Sequence, residues 1–251
     1  MSGVKDIVQQ FEGKEKKVDC LVCNAGILLN ERVETTEGHE TTFACHLLCG
    51  SYYLSSLLKP QLKAAGSEAR VIFVSSGGMY NSKFPSWDQA VNAENYKSKY
   101  DGQMAYVYAK RGQVGYIKSD ICKYCGFVLS NFFNGCSYKV LLAEHLARES
   151  PEITWMSCHP GWVDTPAVDL AYGSSKKYLE PMRSIWEGAE GICWLFSKES
   201  KHLKNGGFYL DRKPQTKHIG GLFMREGSYT KNTQTEVDEM IQNLKKMCDL
   251  L

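Results

Sequence analysis

The chain predicts an α/β protein: a parallel sheet with helices on both faces. Two observations carry that expectation. Apolar runs rich in β-branched residues, at 18–23, 69–75, 153–158 and 206–210, alternate with amphipathic stretches at helical spacing. The runs are apolar at almost every position instead of every second one, the pattern of strands covered on both sides.

Val4, Ile7, Val8 and Phe11 recur at helical spacing and predict a first helix that stops near Gly13. The run Val18-Asp19-Cys20-Leu21-Val22-Cys23 predicts a strand that passes directly into Asn24-Ala25-Gly26. Small residues at the carboxyl end of a parallel strand let a ligand approach the backbone; a plain tight turn is the alternative. Thr36 is the candidate N-cap of a long helix through Phe43, Leu47, Leu54, Leu57 and Leu58, ended by Pro60. The next strand closes on Ser75-Ser76-Gly77-Gly78, and a polar loop containing Phe84, Pro85, Ser86 and Trp87 follows. A helix bearing Tyr106 and Lys110 comes next. The strand 153–158 leads into His159-Pro160-Gly161-Trp162-Val163-Asp164-Thr165-Pro166. A helix over 183–197, a last strand at 206–210 and a C-terminal amphipathic helix through Val237, Ile241 and Leu244 complete the chain.

At 251 residues the chain fits one domain, 1–221, with a tail over 222–251. Hydrophobic residues at 43% and aromatics at 12% exclude global disorder. A formal charge of +2, with no Lys/Arg stripe, argues against a nucleic-acid partner. No apolar run reaches the ~18–20 residues of a transmembrane segment, and the polar start Met1-Ser2-Gly3-Val4-Lys5-Asp6 does not resemble a signal peptide. Most of the ten cysteines sit inside apolar runs, which predicts reduced thiols in a cytoplasmic protein.

Tyr106 and Lys110 are four apart, so on a helix their side-chain roots lie ~5–6 Å apart on one face. A phenol of pKa ~10 is a poor base at neutral pH, and a neighbouring ammonium favours its phenolate. Ser76 is then placed to hold a carbonyl oxygen while Tyr106 gives or takes its proton. Tyr-x-x-x-Lys alone is common, and an unrelated surface Tyr and Lys is the alternative.

Four elements stand in one order: strand plus Asn24-Ala25-Gly26, strand plus Ser75-Ser76, Tyr106-x-x-x-Lys110, and strand plus Pro160-Gly161-x-Val163-x-Thr165. Together they resemble the short-chain dehydrogenase/reductase family over nearly the whole chain. The resemblance implies a Rossmann-like fold, a cofactor, NADP or NAD, and an oxidoreductase that interconverts a carbonyl and an alcohol on a small-molecule substrate. Carried over by position, Ser76 orients the carbonyl, with the second serine of the pair aligning better than Ser75. Tyr106 is the proton donor or acceptor, and Lys110 lowers its pKa and binds the nicotinamide ribose. Asn24, Ala25 and Gly26 line the adenosine side. Val163 and Thr165 contact the nicotinamide carboxamide, and Pro160 and Gly161 beside them are cofactor-binding as well. The family's pocket regions carry Phe84, Trp87, Trp162, Tyr172 and Tyr178 here, which suits a lipophilic substrate.

The sequence departs from that pattern three times. No Gly-x-x-x-Gly-x-Gly or Gly-x-Gly-x-x-Gly turn occurs, and only 17 residues precede Val18, less than the ~30 of one βαβ unit. The chain therefore reads as a family member lacking its first half-fold, truncated and without a phosphate cradle, and a non-catalytic partial product is the competing reading. His46 stands where the family has a catalytic Asn, either as a substitute donor or relay or as a tolerated helix histidine. Residues 114–139 read as a 26-residue insert, because removing them joins Gln113 to Val140 in helical register. Within and beside that insert, Cys122, Cys125, Cys136 and His145 form the spacing of a minor alternative, a zinc-binding module.

Overall fold

The computed structural model describes residues 1–12, 16–76, 84–92, 99–111, 138–218 and 230–249. Four parallel strands, β1 (Cys20–Cys23), β2 (Arg70–Val74), β3 (Thr154–Cys158) and β4 (Gly207–Leu210), lie side by side in chain order. A two-residue strand, β5 (Lys213–Pro214), turns back antiparallel on β4. The register Cys23↔Phe73 and Val74↔Cys158 brings the carboxyl ends of β1, β2 and β3 to one side of the sheet.

Alternation along the strands divides the core in two. On one face Cys23, Val71, Phe73 and Trp155 pack with Phe43, Leu47, Leu142 and Leu146. On the other Ile72, Val74, Met156 and Cys158 pack with Leu195 and Leu203. Helices thus cover both faces, as the unbroken apolar runs require. The described helices are α1 (Ser2–Gln9), α2 (Thr41–Phe43), α3 (Leu54–Leu57), α4 (Lys59–Ala65), α5 (Trp87–Asn92), α6 (Gly102–Arg111), α7 (Tyr138–Glu149), α8 (Pro166–Tyr172), α9 (Ile185–Ser197) and α10 (Gln234–Asp249). A π-helical stretch, Ala44–Tyr53, joins α2 to α3 without a break. Among the described residues no helix is long and apolar enough to cross a membrane.

Several boundaries differ from expectation for identifiable reasons. The long helix begins at Thr41 and not at Thr36, because the buried carboxylate of Glu40 accepts from the Thr42 and Phe43 N–H groups at 2.8 and 2.6 Å. Pro60 does not end the helical run. It sits in the first turn of α4, where its missing N–H leaves no bond unmade. The stretch around Trp87 opens a helix, α5, whose Trp87 ring meets Phe43 edge-on at 5.7 Å. The expected insert 114–139 lies outside the described residues except for Tyr138 and Lys139, the first two positions of α7. α6 and α7 nevertheless pack on each other, and α10 buries Val237, Met240 and Leu244 in the larger core.

Candidate active site

The segments after β1, β2 and β3 share one end of the sheet, where parallel α/β sheets receive ligands. Ser75 is anchored there, its N–H donating to Cys158 O at 2.6 Å, and is 1% exposed. Ser76 is half-buried and is the more accessible of the two.

His46 lies on the π-helical stretch and is fully buried. Its Nε2 is 3.0 Å from Ile27 N and 2.8 Å from Ile27 O, so it accepts from one or donates to the other according to tautomer. The imidazole fills the space beside Gly26: a Cβ there would stand 2.1 Å from His46 Cε1. Gly26 is thus spoken for by the histidine ring. On its other side the imidazole meets the half-buried Tyr106 ring edge-on, centroids 5.1 Å apart at 88°. The turn after β1, the π-helical stretch and α6 therefore meet at His46. Lys110 lies one turn further along α6, and its side chain lies outside the described residues.

After β3, the His159 ring stacks on Phe208 at 5.6 Å, and its Nδ1 accepts from Gly161 N–H at 3.1 Å. Burial, and then the Arg183 charge, push this imidazole down to about 4, against the pull of Asp211. It is therefore neutral near pH 7 and free to accept that hydrogen bond. Gly161 adopts φ 79°, in the region glycine favours. Val163 packs into the surface of α9 at Gly188, where a Cβ would come within 2.3 Å of Val163 Cγ2. Thr165 is the N-cap residue of α8 and makes no side-chain cap bond. The sequence reading missed Ile27, Arg183 and Asp211, which bind these segments; the first contributes only its backbone and has no signal in residue type.

The turn expected to line the adenosine side is different. β1 is the outermost strand of the sheet among the described residues, and Asn24, Ala25 and Gly26 after it are exposed. A dinucleotide crevice at a sheet end needs strands on both sides of it. The His46 ring fills the space beside Gly26, and among the described residues only the β2 side of such a crevice borders this turn. The segment after β3, which the resemblance assigns to the other end of the cofactor, is described in full.

Phe84 is 5% exposed, with its backbone tied to the Asn232 side chain, and the half-buried Trp87 packs on Phe43, so both lean on the larger core. Trp162 is half-buried beside the site and Tyr178 is exposed; the Tyr172 side chain lies outside the described residues. Of the possible zinc set, Cys122, Cys125 and Cys136 lie outside the described residues, and His145 is 3.9 Å from Glu149 one turn along α7. Among the described residues no group of three His, Cys, Asp or Glu side chains is placed to hold a metal ion.

No family model matches the chain. Individual proteins do. It is 33% identical over 214 residues to human dehydrogenase/reductase SDR family member 12, covering 84% of this chain and 57% of that protein. The bovine protein of the same name is 31% identical over 242 residues, covering 96% of this chain and 64% of that one. The chain thus spans less than two thirds of the length of these relatives. Among solved structures, the short-chain dehydrogenase/reductase glucose/ribitol dehydrogenase from Brucella melitensis superposes with a TM-score of 0.52 at 16% identity, over 82% of this chain and 69% of that one. The motif order, the parallel sheet and these relatives agree: the chain belongs to the short-chain dehydrogenase/reductase family.

Proposed function

We propose that this chain carries the acid–base half of an oxidoreductase that interconverts a carbonyl and an alcohol on a small, lipophilic substrate, with NADP or NAD as the family's cofactor. The contact between Tyr106 and His46 carries this reading, because it gathers the proton-transfer tyrosine, the family's relay position and the turn after β1 in one cluster. Ser76 holds the substrate oxygen by a hydrogen bond. Tyr106 delivers a proton to that oxygen as the alcohol forms, or takes it as the carbonyl forms. Lys110 favours the phenolate, which makes the exchange possible near neutral pH. His46, wedged between Ile27 and the tyrosine, fixes the ring against which the proton moves.

A second reading, a partial family member without catalysis of its own, is favoured by the exposed Asn24–Ala25–Gly26 turn after β1, the outermost of the described strands. Ultraviolet titration of the 251-residue chain tests the first. Tyr100 and Tyr108 are pushed up to about 12, both by burial first, so neither competes at low pH. An early-ionising tyrosine that disappears in Tyr106→Phe supports the acid–base assignment; loss of only a phenol that ionises at or above the ordinary ~10 overturns it. NADPH fluorescence tests the second. Saturable quenching at micromolar cofactor would show that this chain alone holds the dinucleotide.

A further inference from the structure

Arg183 precedes Ser184, the N-cap of α9, and among the described residues its hydrogen bonds go to two places. Its N–H donates to Trp162 O at 2.7 Å, and its carbonyl accepts from Asp164 N–H at 2.9 Å, a strand-like bridge opposite Val163. The guanidinium then folds back over the same segment. Nη1 donates to Pro160 O at 3.1 Å, and the group lies so close to Gly161 that a Cβ there would be 2.6 Å from Nε. The fork closes on Asp211, with Nη1 at 2.5 Å from Oδ1 and Nη2 at 2.8 Å from Oδ2. This is the bidentate geometry that only arginine offers.

Asp211 and Arg212 form the turn between β4 and β5 with φ of 50° and 64°, a backbone that costs energy for any residue with a Cβ. Both side chains are used: Asp211 on Arg183, and Arg212 on Glu190 of α9 at 3.1 Å. The turn, the start of α9 and the segment after β3 are thereby closed into one unit.

We propose that Arg183 and Asp211 are positioning residues: a clamp that holds the Pro160–Asp164 segment at the height where it borders the nicotinamide side of the site. The proposal rests on reading that segment as the nicotinamide border. Its logic is local. Arg183 is 33% and Asp211 56% exposed, and an ion pair so open to solvent contributes little to global stability. What it fixes is the segment it touches four times.

Hydrogen–deuterium exchange of the 251-residue chain decides the matter, using Arg183→Lys and Asp211→Gly. Lysine keeps the charge without the fork. Glycine suits the positive φ better than aspartate and deletes only the carboxylate, so a merely structural role predicts no loosening there. In both variants the amides of Gly161, Trp162, Val163 and Asp164 are expected to exchange about fivefold faster, with β3 unchanged. Unchanged exchange in the segment, or equal acceleration in β3, overturns the clamp. The same measurement with millimolar reduced nicotinamide mononucleotide separates the clamp from the proposed function. Protection of the segment in the parent that is lost in both variants supports positioning, and protection retained in both overturns it. If the parent shows no protection while the variants loosen, the nicotinamide reading fails, and the positioning role with it.

Discussion

Replacing Gly26 with alanine tests whether the turn after β1 is built around the His46 ring. The new methyl would stand 2.1 Å from Cε1, 2.8 Å from Nδ1 and 3.1 Å from Nε2 of an imidazole that is fully buried. The ring has no solvent to swing into, so the turn or the helix must move. Overpacking of this kind costs roughly 1–3 kcal/mol. Separating Nε2 from the Ile27 backbone adds about 1 kcal/mol for a lost buried hydrogen bond. Gly26→Ala should therefore destabilise the chain by roughly 2–4 kcal/mol in urea unfolding followed by circular dichroism. Repeating it in a His46→Ala background removes the obstacle, and the cost should fall below ~1 kcal/mol, a coupling of at least ~1 kcal/mol between the two positions. Near-ultraviolet dichroism should also change in Gly26→Ala as the Tyr106 ring loses its edge contact. An equal cost in both backgrounds, or a cost below ~0.5 kcal/mol in the first, would refute the packing argument.

Two other predictions use separate parts of the molecule. His159, at about 4 in the folded chain against 6.5 unfolded, contributes stability that is present above pH 6.5 and lost as pH falls toward 4. The loss should reach no more than about 3 kcal/mol, and His159→Gln, whose amide does not titrate, should flatten the slope; equal slopes in the two proteins contradict the assignment. Glu144 adds its own loss only below about 4.5, because burial raises its carboxyl but His218 and Lys217 outweigh that and bring it down to about 2. Val22, 39% exposed on the outermost strand, offers an apolar edge to other chains. Val22→Lys should delay the onset of turbidity on concentration while changing stability by less than ~0.5 kcal/mol, and an unchanged onset would count against β1 as the sticky edge.

The parallel sheet was legible because burial on both faces leaves runs with hardly a polar position, and Val71-Ile72-Phe73-Val74 is such a run. The π winding of Ala44–Tyr53 was not, since its residues show the same apolar spacing that an α-helix would. The β4–β5 turn was equally hidden: a two-residue hairpin is signalled by Asn-Gly or Asp-Gly, and here Asp211-Arg212 adopts positive φ under the hold of two ion pairs. At the site, Tyr106 and His46 were visible as residue types at suggestive positions. Their meeting was not, because it depends on how the long helix is wound and on a glycine far away in sequence. The start of that helix misled for a related reason: Thr36 has the chemistry of a cap, but the buried Glu40 carboxylate does the work.

The winding of the helix that carries His46 also bears on which length changes the chain can absorb. In a π-helix bonds reach five residues back, and Ser51 Oγ donates to the His46 carbonyl across that interval at 2.6 Å. Each π turn takes up about one residue more than an α turn, so ten residues wound this way hold about two in reserve. A one-residue deletion inside Ala44–Tyr53 can be met by rewinding to α geometry, leaving α3, β2 and Ser76 in place. The same deletion in α6 has no such slack and would turn everything beyond it by about 100°. The two helices that meet at His46 and Tyr106 thus differ sharply in how freely their lengths can drift.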